Sequence, residues 1–460
     1  MKDKILNNIL QDGNNIAQYI SFSPTQKSPH YINIKSKRTN YANNKDIISD
    51  LIANSNSKSI NIRSFSPEQM KGNKLIFDKK LDDLEEILGI IEENQNRGFY
   101  SILNENIDIS DGGVSGVILN GIMEFSPNDT PKCVEKPDVC VVNKEFGNYL
   151  FNTIYGFTLD LTYSDNYRVE FSIHPKKQGV LNSHTILWEA EQFGVRSLPK
   201  FQNYIWPNRF SQFIGDKAFG LLLADFLGFN VPYTILIGRN VAPFTFGKIT
   251  GQQEKWIRTC PVDKVPGKYY SANTWIDPFE LMSHEDDTSN QNYNIASILS
   301  QNAVNAIYSG ASIVTENKNK DVIEGVEREG DLFMLGKQAP IDLPNDIISS
   351  IQRIHEQIRL HIRALGSVSI EWVYDGEKVW IVQMNQIKQA SYSNIIVEGS
   401  PSSYIQFPIS NGLEELRNLI KNNTFIDKGI ELIGNVGLTS HFGDLLRQAS
   451  IPSRIISNVE

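Results

Sequence analysis

A lysine, an arginine, a carboxylate–amide pair and a histidine carry the chemistry that can be read from this chain. Lys217 follows an acidic cap in Gly215-Asp216-Lys217-Ala218, ahead of an apolar run and the turn Gly228-Phe229-Asn230-Val231-Pro232. A lysine at the mouth of a helix can serve as a phosphate handle. Arg258, in Ile257-Arg258-Thr259, supplies a second cation. Glu371 and Gln383 stand twelve residues apart on two strand-like runs joined by the turn Asp375-Gly376, which reads as a hairpin. A hairpin can bring both side chains to one face, where their oxygens could ligate magnesium, a hard ion that shares its sphere with phosphate oxygens and water. His441, preceded by Thr439-Ser440 at the expected start of a helix, is a competent phosphoryl acceptor when its imidazole is neutral. The oriented N–H groups of the helix start would stabilise the transferred group. Taken singly, each residue has a plainer reading: a helix lysine, an ion-pair partner, two solvated strand residues and a structural histidine. His355 and His361 read as packing or surface residues, and His174 and His184 lack a ligand-spaced acidic partner.

The elements that must position these groups follow from periodicity. Weakly helical patches at residues 5–20 and 46–53 precede a short strand, Ile60-Asn61-Ile62, which delivers Arg63. Leu84, Ile87, Leu88 and Ile91 recur at helical spacing. Strands are expected around residues 100–102, 117–119, 167–173 and 185–188, with glycine-rich turns at residues 111–116. After the lysine segment come a buried strand at residues 233–237, an amphipathic patch at 277–282, a polar loop at 283–292 and a hairpin around 317–324. A helix over residues 347–364 carries Ile348, Ile351, Ile354, Ile358 and Ile362 on one side. Serines, Gly399 and Pro401 make residues 391–408 read as a linker. A small α/β unit follows, with helices at residues 413–419 and after His441, and a strand at 430–433.

The chain of 460 residues is long enough for about three domains. Its 40% hydrophobic and 21% charged residues are those of a globular protein. A net charge of -9 argues against a nucleic-acid surface built on bulk electrostatics. Cys133, Cys140 and Cys260 form neither a disulfide framework nor a zinc motif, and a reducing cytoplasm fits best. No long apolar segment occurs and the start is polar, so neither secretion nor a membrane span is expected.

The two halves share landmarks in order. Ile62-Arg63-Ser64 with Gly72 matches Ile257-Arg258-Thr259 with Gly267. The run from Ser101 through Glu105 to Asn106 matches that from Ser297 through Gln301 to Asn302, Ser115-Gly116 matches Ser309-Gly310, and Glu170-Phe171 answers Glu371-Trp372. A period this long signals a duplicated domain rather than a solenoid. The first half shows no counterpart of the lysine segment.

Taken in order, Gly215-Asp216-Lys217-Ala218, Ile257-Arg258-Thr259, Gln301, Ser309-Gly310, Ile323-Glu324-Gly325-Val326 with Gly330-Asp331, and Ile370-Glu371-Trp372 with Ile381-Val382-Gln383 resemble the ATP-grasp nucleotide-binding domain of phosphoenolpyruvate synthase and pyruvate phosphate dikinase. Gly437-Leu438-Thr439-Ser440-His441 with Ile451-Pro452 resembles the same family's swivelling phosphohistidine domain. The likeness covers residues 210–452. It implies an α+β chain: a degenerate N-terminal duplicate (1–198), an ATP-grasp domain (199–390), a linker (391–408) and a shortened phosphohistidine-like unit (409–460). It further implies that Lys217, Arg258, Gln301, Glu371 and Gln383 bind ATP, with Mg2+ on Glu371 and Gln383. His441 and Arg258 would be catalytic, and phosphate would pass through the histidine to a small-molecule acceptor with release of AMP and phosphate. Neither nucleic acid nor membrane is an expected partner, and a homodimer is compatible with the reading. The sequence departs from the family at Asn385, where arginine is usual, at the turn Arg328-Glu329-Gly330-Asp331, and in lacking a long C-terminal barrel for phosphoenolpyruvate. The alternatives are a non-catalytic nucleotide-binding module and an ATP-grasp ligase that forms an acyl phosphate.

Overall fold

The computed structural model describes residues 2–66, 74–131, 136–159, 166–175, 184–194, 198–269, 271–286, 293–388, 391–422, 425 and 427–456. Gly72 and Cys133 lie outside these, as do residues 287–292 of the expected polar loop. Among the described residues the chain is a mixed α+β protein of several largely antiparallel sheets, and no helix is long and apolar enough to cross a membrane. It divides into two compact units: residues 1–120, 125–136 and 162–199, and residues 121–124, 137–161 and 200–460.

In unit 1 a five-stranded sheet runs in the order Tyr31–Asn33, Tyr19–Phe22, Tyr100–Glu105, Ile60–Phe65, Lys74–Lys79. Alternation along Ile60–Phe65 buries Ile60 and Ile62 and leaves Arg63 on the opposite face. The buried face packs on the apolar stripes of the helices Asn44–Asn54 and Leu84–Asn96, through Ile48, Leu51, Ile87 and Ile91. Within the same unit Val114–Leu119 pairs antiparallel with Tyr167–Ile173, which pairs with Thr185–Gln192.

Unit 2 repeats this plan. Its five-stranded sheet runs Phe244–Phe246, Thr234–Gly238, Ile295–Asn302, Lys255–Pro261, Ser271–Ala272. In both units the sheet joins the second strand to the first, the first to the last, the last to the third and the third to the fourth. Tyr308–Val314, Val368–Tyr374 and Val379–Gln386 then pair as their three counterparts do in unit 1. Register agrees residue by residue. Gly116 lies opposite Phe171 as Gly310 lies opposite Trp372, and Glu170 opposite Glu189 as Glu371 lies opposite Gln383, each beside a bulge.

The pairing corrects two readings of the repeat. Arg63 lies opposite Ile102 but Arg258 opposite Leu299, so the position equivalent to Gln301 is Asn104, not Glu105. A slip of one residue moves a side chain to the other face, and Glu105 is buried there, accepting hydrogen bonds from Gln18 N (2.9 Å) and Nε2 (2.8 Å). The lysine segment also has a topological counterpart. The helix Lys2–Gln11 precedes Tyr19–Phe22 and packs on Thr185–Gln192, as Asp216–Phe226 precedes Thr234–Gly238 and packs on Val379–Gln386. The patch expected at residues 5–20 is thus a helix followed by a strand.

Residues 137–161, expected in the N-terminal domain, belong to unit 2 and contain a helix, Lys144–Tyr155, that the reading missed. Residues 391–408 are not a bare linker. Ile395–Val397 and Ser403–Pro408 are two strands of a four-stranded sheet with Lys428–Ile433 and Ser453–Ile456; Gly399, Ser400, Pro401 and Ser402 lie in the connection between them. The last three of these strands pair in parallel, as a β-strand, helix, β-strand order requires, and the helices Gly412–Asn422 and His441–Ala449 close the core through Leu416, Phe442 and Leu446. The expected helix at 347–364 is broken at His361 into Asn345–Leu360 and Ile362–Leu365. Ile351, Ile358 and Ile362 of the expected stripe are buried, joined by Ile347 and His355, while Ile348 and Ile354 are half-buried.

Candidate functional site

Lys217 is placed by the helix Asp216–Phe226. Gly215, at φ 98°, lets the helix begin hard against Lys255–Pro261, since a Cβ there would stand 2.4 Å from Cys260 Cβ. From behind, the helix is held by Lys144–Tyr155: Phe146 meets Phe219 edge-on at 5.7 Å and Phe226 at 5.0 Å, and the Tyr149 hydroxyl donates to Asp225 Oδ2 at 2.6 Å. Burial, with Arg258 nearby, pushes the Lys217 ammonium down to about 8, although Cys260 and Glu371 favour its charge. Among the described residues Lys217 makes no hydrogen bond or ion pair.

Arg258 ties two sheets together. From Lys255–Pro261 its guanidinium donates through Nη1 to the Val382 carbonyl (2.6 Å) and Gln301 Oε1 (3.5 Å), and through Nη2 to Glu371 Oε2 (3.0 Å) and Gln383 Oε1 (3.1 Å). Glu371 and Gln383 are direct partners across Val368–Tyr374 and Val379–Gln386, so the hairpin does set both on one face. Gln301 Nε2 donates to Thr234 Oγ1 at 3.1 Å, which aims its carbonyl at Arg258.

These residues line two cavities that share Trp256, Arg258, Ser271, Glu329, Asp331, Met334 and Glu371. The smaller, of 130 Å³, adds Gln301, Val304, Ser309 and Trp372. The larger, of 460 Å³, adds Lys217, Lys264, Gln383, His441 and Asp444. All six site residues read from sequence therefore converge, and Asn385 lines neither cavity. Burial raises the Asp331 carboxyl against the pull of Arg258, with Glu329 and Glu371 adding to the rise.

His441 opens the helix His441–Ala449 after the cap residue Ser440. Its Nδ1 faces Asp444 Oδ2 at 3.5 Å, leaving Nε2 as the nitrogen not directed at a carboxylate. Asp444 is held well below the usual carboxylate range: burial opposes this, but Lys264, His441 and Arg447 outweigh it. Gly267 lies so close that a Cβ there would be 3.1 Å from His441 Cδ2.

Sequence reasoning missed Trp256, Lys264 and Asp444. Asp444 had a signal, one helical turn beyond His441, whereas Lys264 sits in an irregular segment with none. No group of three or more His, Cys, Asp or Glu side chains is gathered around a metal position among the described residues. Glu371 and Gln383 offer two hard oxygen donors, which suits an ion that completes its sphere from phosphate and water.

No family model and no curated protein matches the chain. Among solved structures it is similar to the macrocyclase MdnB from Microcystis aeruginosa MRC, at 13% identity over 40% of this chain and 55% of that one, with a TM-score of 0.23. It is likewise similar to the macrocyclase MdnC of the same organism, bound with precursor peptide MdnA, at 13% identity over 41% and 56% with a TM-score of 0.22. The likeness spans little more than half of either macrocyclase and carries no argument at these scores.

Proposed function

We propose that unit 2 is an ATP-dependent phosphotransferase of the dikinase type, built on an ATP-grasp nucleotide site and a phosphohistidine unit. One observation carries the reading: a single 460 Å³ cavity is lined by a half-buried lysine without a hydrogen-bond or ion-pair partner among the described residues, an arginine, a carboxylate–amide pair and a histidine at a helix start. Lys217 and Arg258 would take the phosphates. Glu371 and Gln383 would hold Mg2+, which would supply charge neutralisation for the transferring phosphoryl group. Gln301 and Trp256 would border the rest of the nucleotide in the adjoining cavity.

In the reaction, His441 Nε2 attacks the β-phosphorus and the bond from that phosphorus to the α–β bridging oxygen breaks, so AMP leaves with the oxygen. Water then releases the γ-phosphate, leaving one phosphoryl group on the imidazole for a small-molecule acceptor. Asp444, opposite Nδ1, stabilises the imidazolium that forms as Nε2 is phosphorylated. Arg258, which lines the cavity, would exchange some of its four protein acceptors for phosphate oxygens.

His441→Ala is expected to abolish acid-labile labelling from β-labelled ATP while leaving nucleotide affinity intact; undiminished labelling would overturn the carrier role. Nucleotide product analysis separates the alternatives: AMP and phosphate for this reading, ADP for a ligase, and no turnover for a binding module.

A further inference from the structure

Glu324 is a carboxylate of the nucleotide-binding sheets that faces the histidine loop. It lies on Val322–Glu327, paired with Tyr308–Val314, and both its oxygens are spent on the residues just before His441. Oε1 accepts from Leu438 N at 3.0 Å, while Oε2 accepts from Thr439 N at 2.9 Å and from Thr439 Oγ1 at 2.7 Å. Gly437 passes so near that a Cβ there would stand 2.8 Å from Glu324 Oε2 and 2.7 Å from Phe333. Hydrogen bonds to an ionised acceptor are stronger than neutral ones, and here three converge on one side chain. Two further contacts hold the histidine unit differently, by donors to main-chain carbonyls: Arg417 Nη2 to Pro266 O at 2.6 Å and Gln448 Nε2 to Lys264 O at 2.9 Å.

We propose that Glu324 is a positioning residue that latches the loop at residues 437–440 to the nucleotide-binding sheets and so sets His441 at the cavity. Its effect on phosphoryl transfer rests on the reading above; its effect on the loop does not. The carboxylate is matched to the loop because it needs only acceptors there. A glutamine would turn one N–H2 towards a main-chain N–H, so at least one arm must break.

The test compares Glu324→Gln, Thr439→Val and Thr439→Ser in the full chain. Amide hydrogen exchange at Leu438 and Thr439, acid-labile labelling from β-labelled ATP, and ATP affinity are measured for each. In Glu324→Gln, exchange should accelerate and labelling slow by about tenfold or more, the factor expected for losing a charge-assisted hydrogen bond, while ATP affinity is unchanged. Thr439→Val should move both readouts in the same direction, and Thr439→Ser should restore them. Unchanged exchange in Glu324→Gln overturns the latch, as does a labelling loss matched by lost ATP affinity. If the parent chain takes no label, the phosphohistidine reading fails and the exchange data alone decide the latch.

Discussion

At the scale of single residues, Lys217 has the most direct consequence. An ammonium pushed down to about 8 by burial and by Arg258 is about half protonated at pH 8. A bound phosphate restores the charge, so nucleotide binding near that pH should take up about half a proton, and affinity should fall as pH rises through 8. Calorimetric titration in buffers of different ionisation enthalpy measures the uptake, and Lys217→Met should remove it. Arg258 differs in kind. It already donates to four groups, and its planar fork reaches carboxylate, amide and carbonyl together, which a lysine cannot reproduce.

At the scale of elements, the lysine helix must sit tightly on the strand that bears Gln383. Gly220 permits this, because a Cβ there would fall 2.0 Å from the Met384 carbonyl oxygen. Helix propensity alone would favour Gly220→Ala by about 1 kcal/mol. The clash is with backbone, which cannot swing aside, so the variant is expected to lose about 1–3 kcal/mol net and to bind nucleotide more weakly, as read by thermal melting and titration. The hairpin of Glu371 and Gln383 was legible because the Asp-Gly turn and the alternating pattern agree. The helix Lys144–Tyr155, although missed, was legible from Asn143 as a cap and Phe146, Leu150 and Ile154 at helical spacing. Its docking against Phe219 was not, since no local pattern names a partner 70 residues on.

At the scale of the molecule, the two units share a topology but not a site. Where unit 2 sets Glu371 opposite Gln383, unit 1 sets Glu170 opposite Glu189, with Arg63 paired to Glu189 at 3.0 Å and Arg168 to Glu170 at 2.6 Å. The second carboxylate, where unit 2 has an amide, repels phosphate. One nucleotide per chain is therefore expected from equilibrium titration, and Arg63→Met should leave that affinity unchanged; two equivalent sites would refute the assignment.

The sequence by itself determined which residue types could share a site and that the two halves repeat, because periodicity, turn chemistry and landmark order are local or linear properties. It missed the one-residue register shift that puts Asn104, rather than Glu105, at the position of Gln301, and the strands within residues 391–408. Register is decided by which face a strand buries against its neighbours, and short strands hold only by pairing. The meeting of Lys217, Arg258, Glu371, Gln383 and His441 around one cavity was decided by the tertiary structure, which alone brings sheets from distant stretches of chain together.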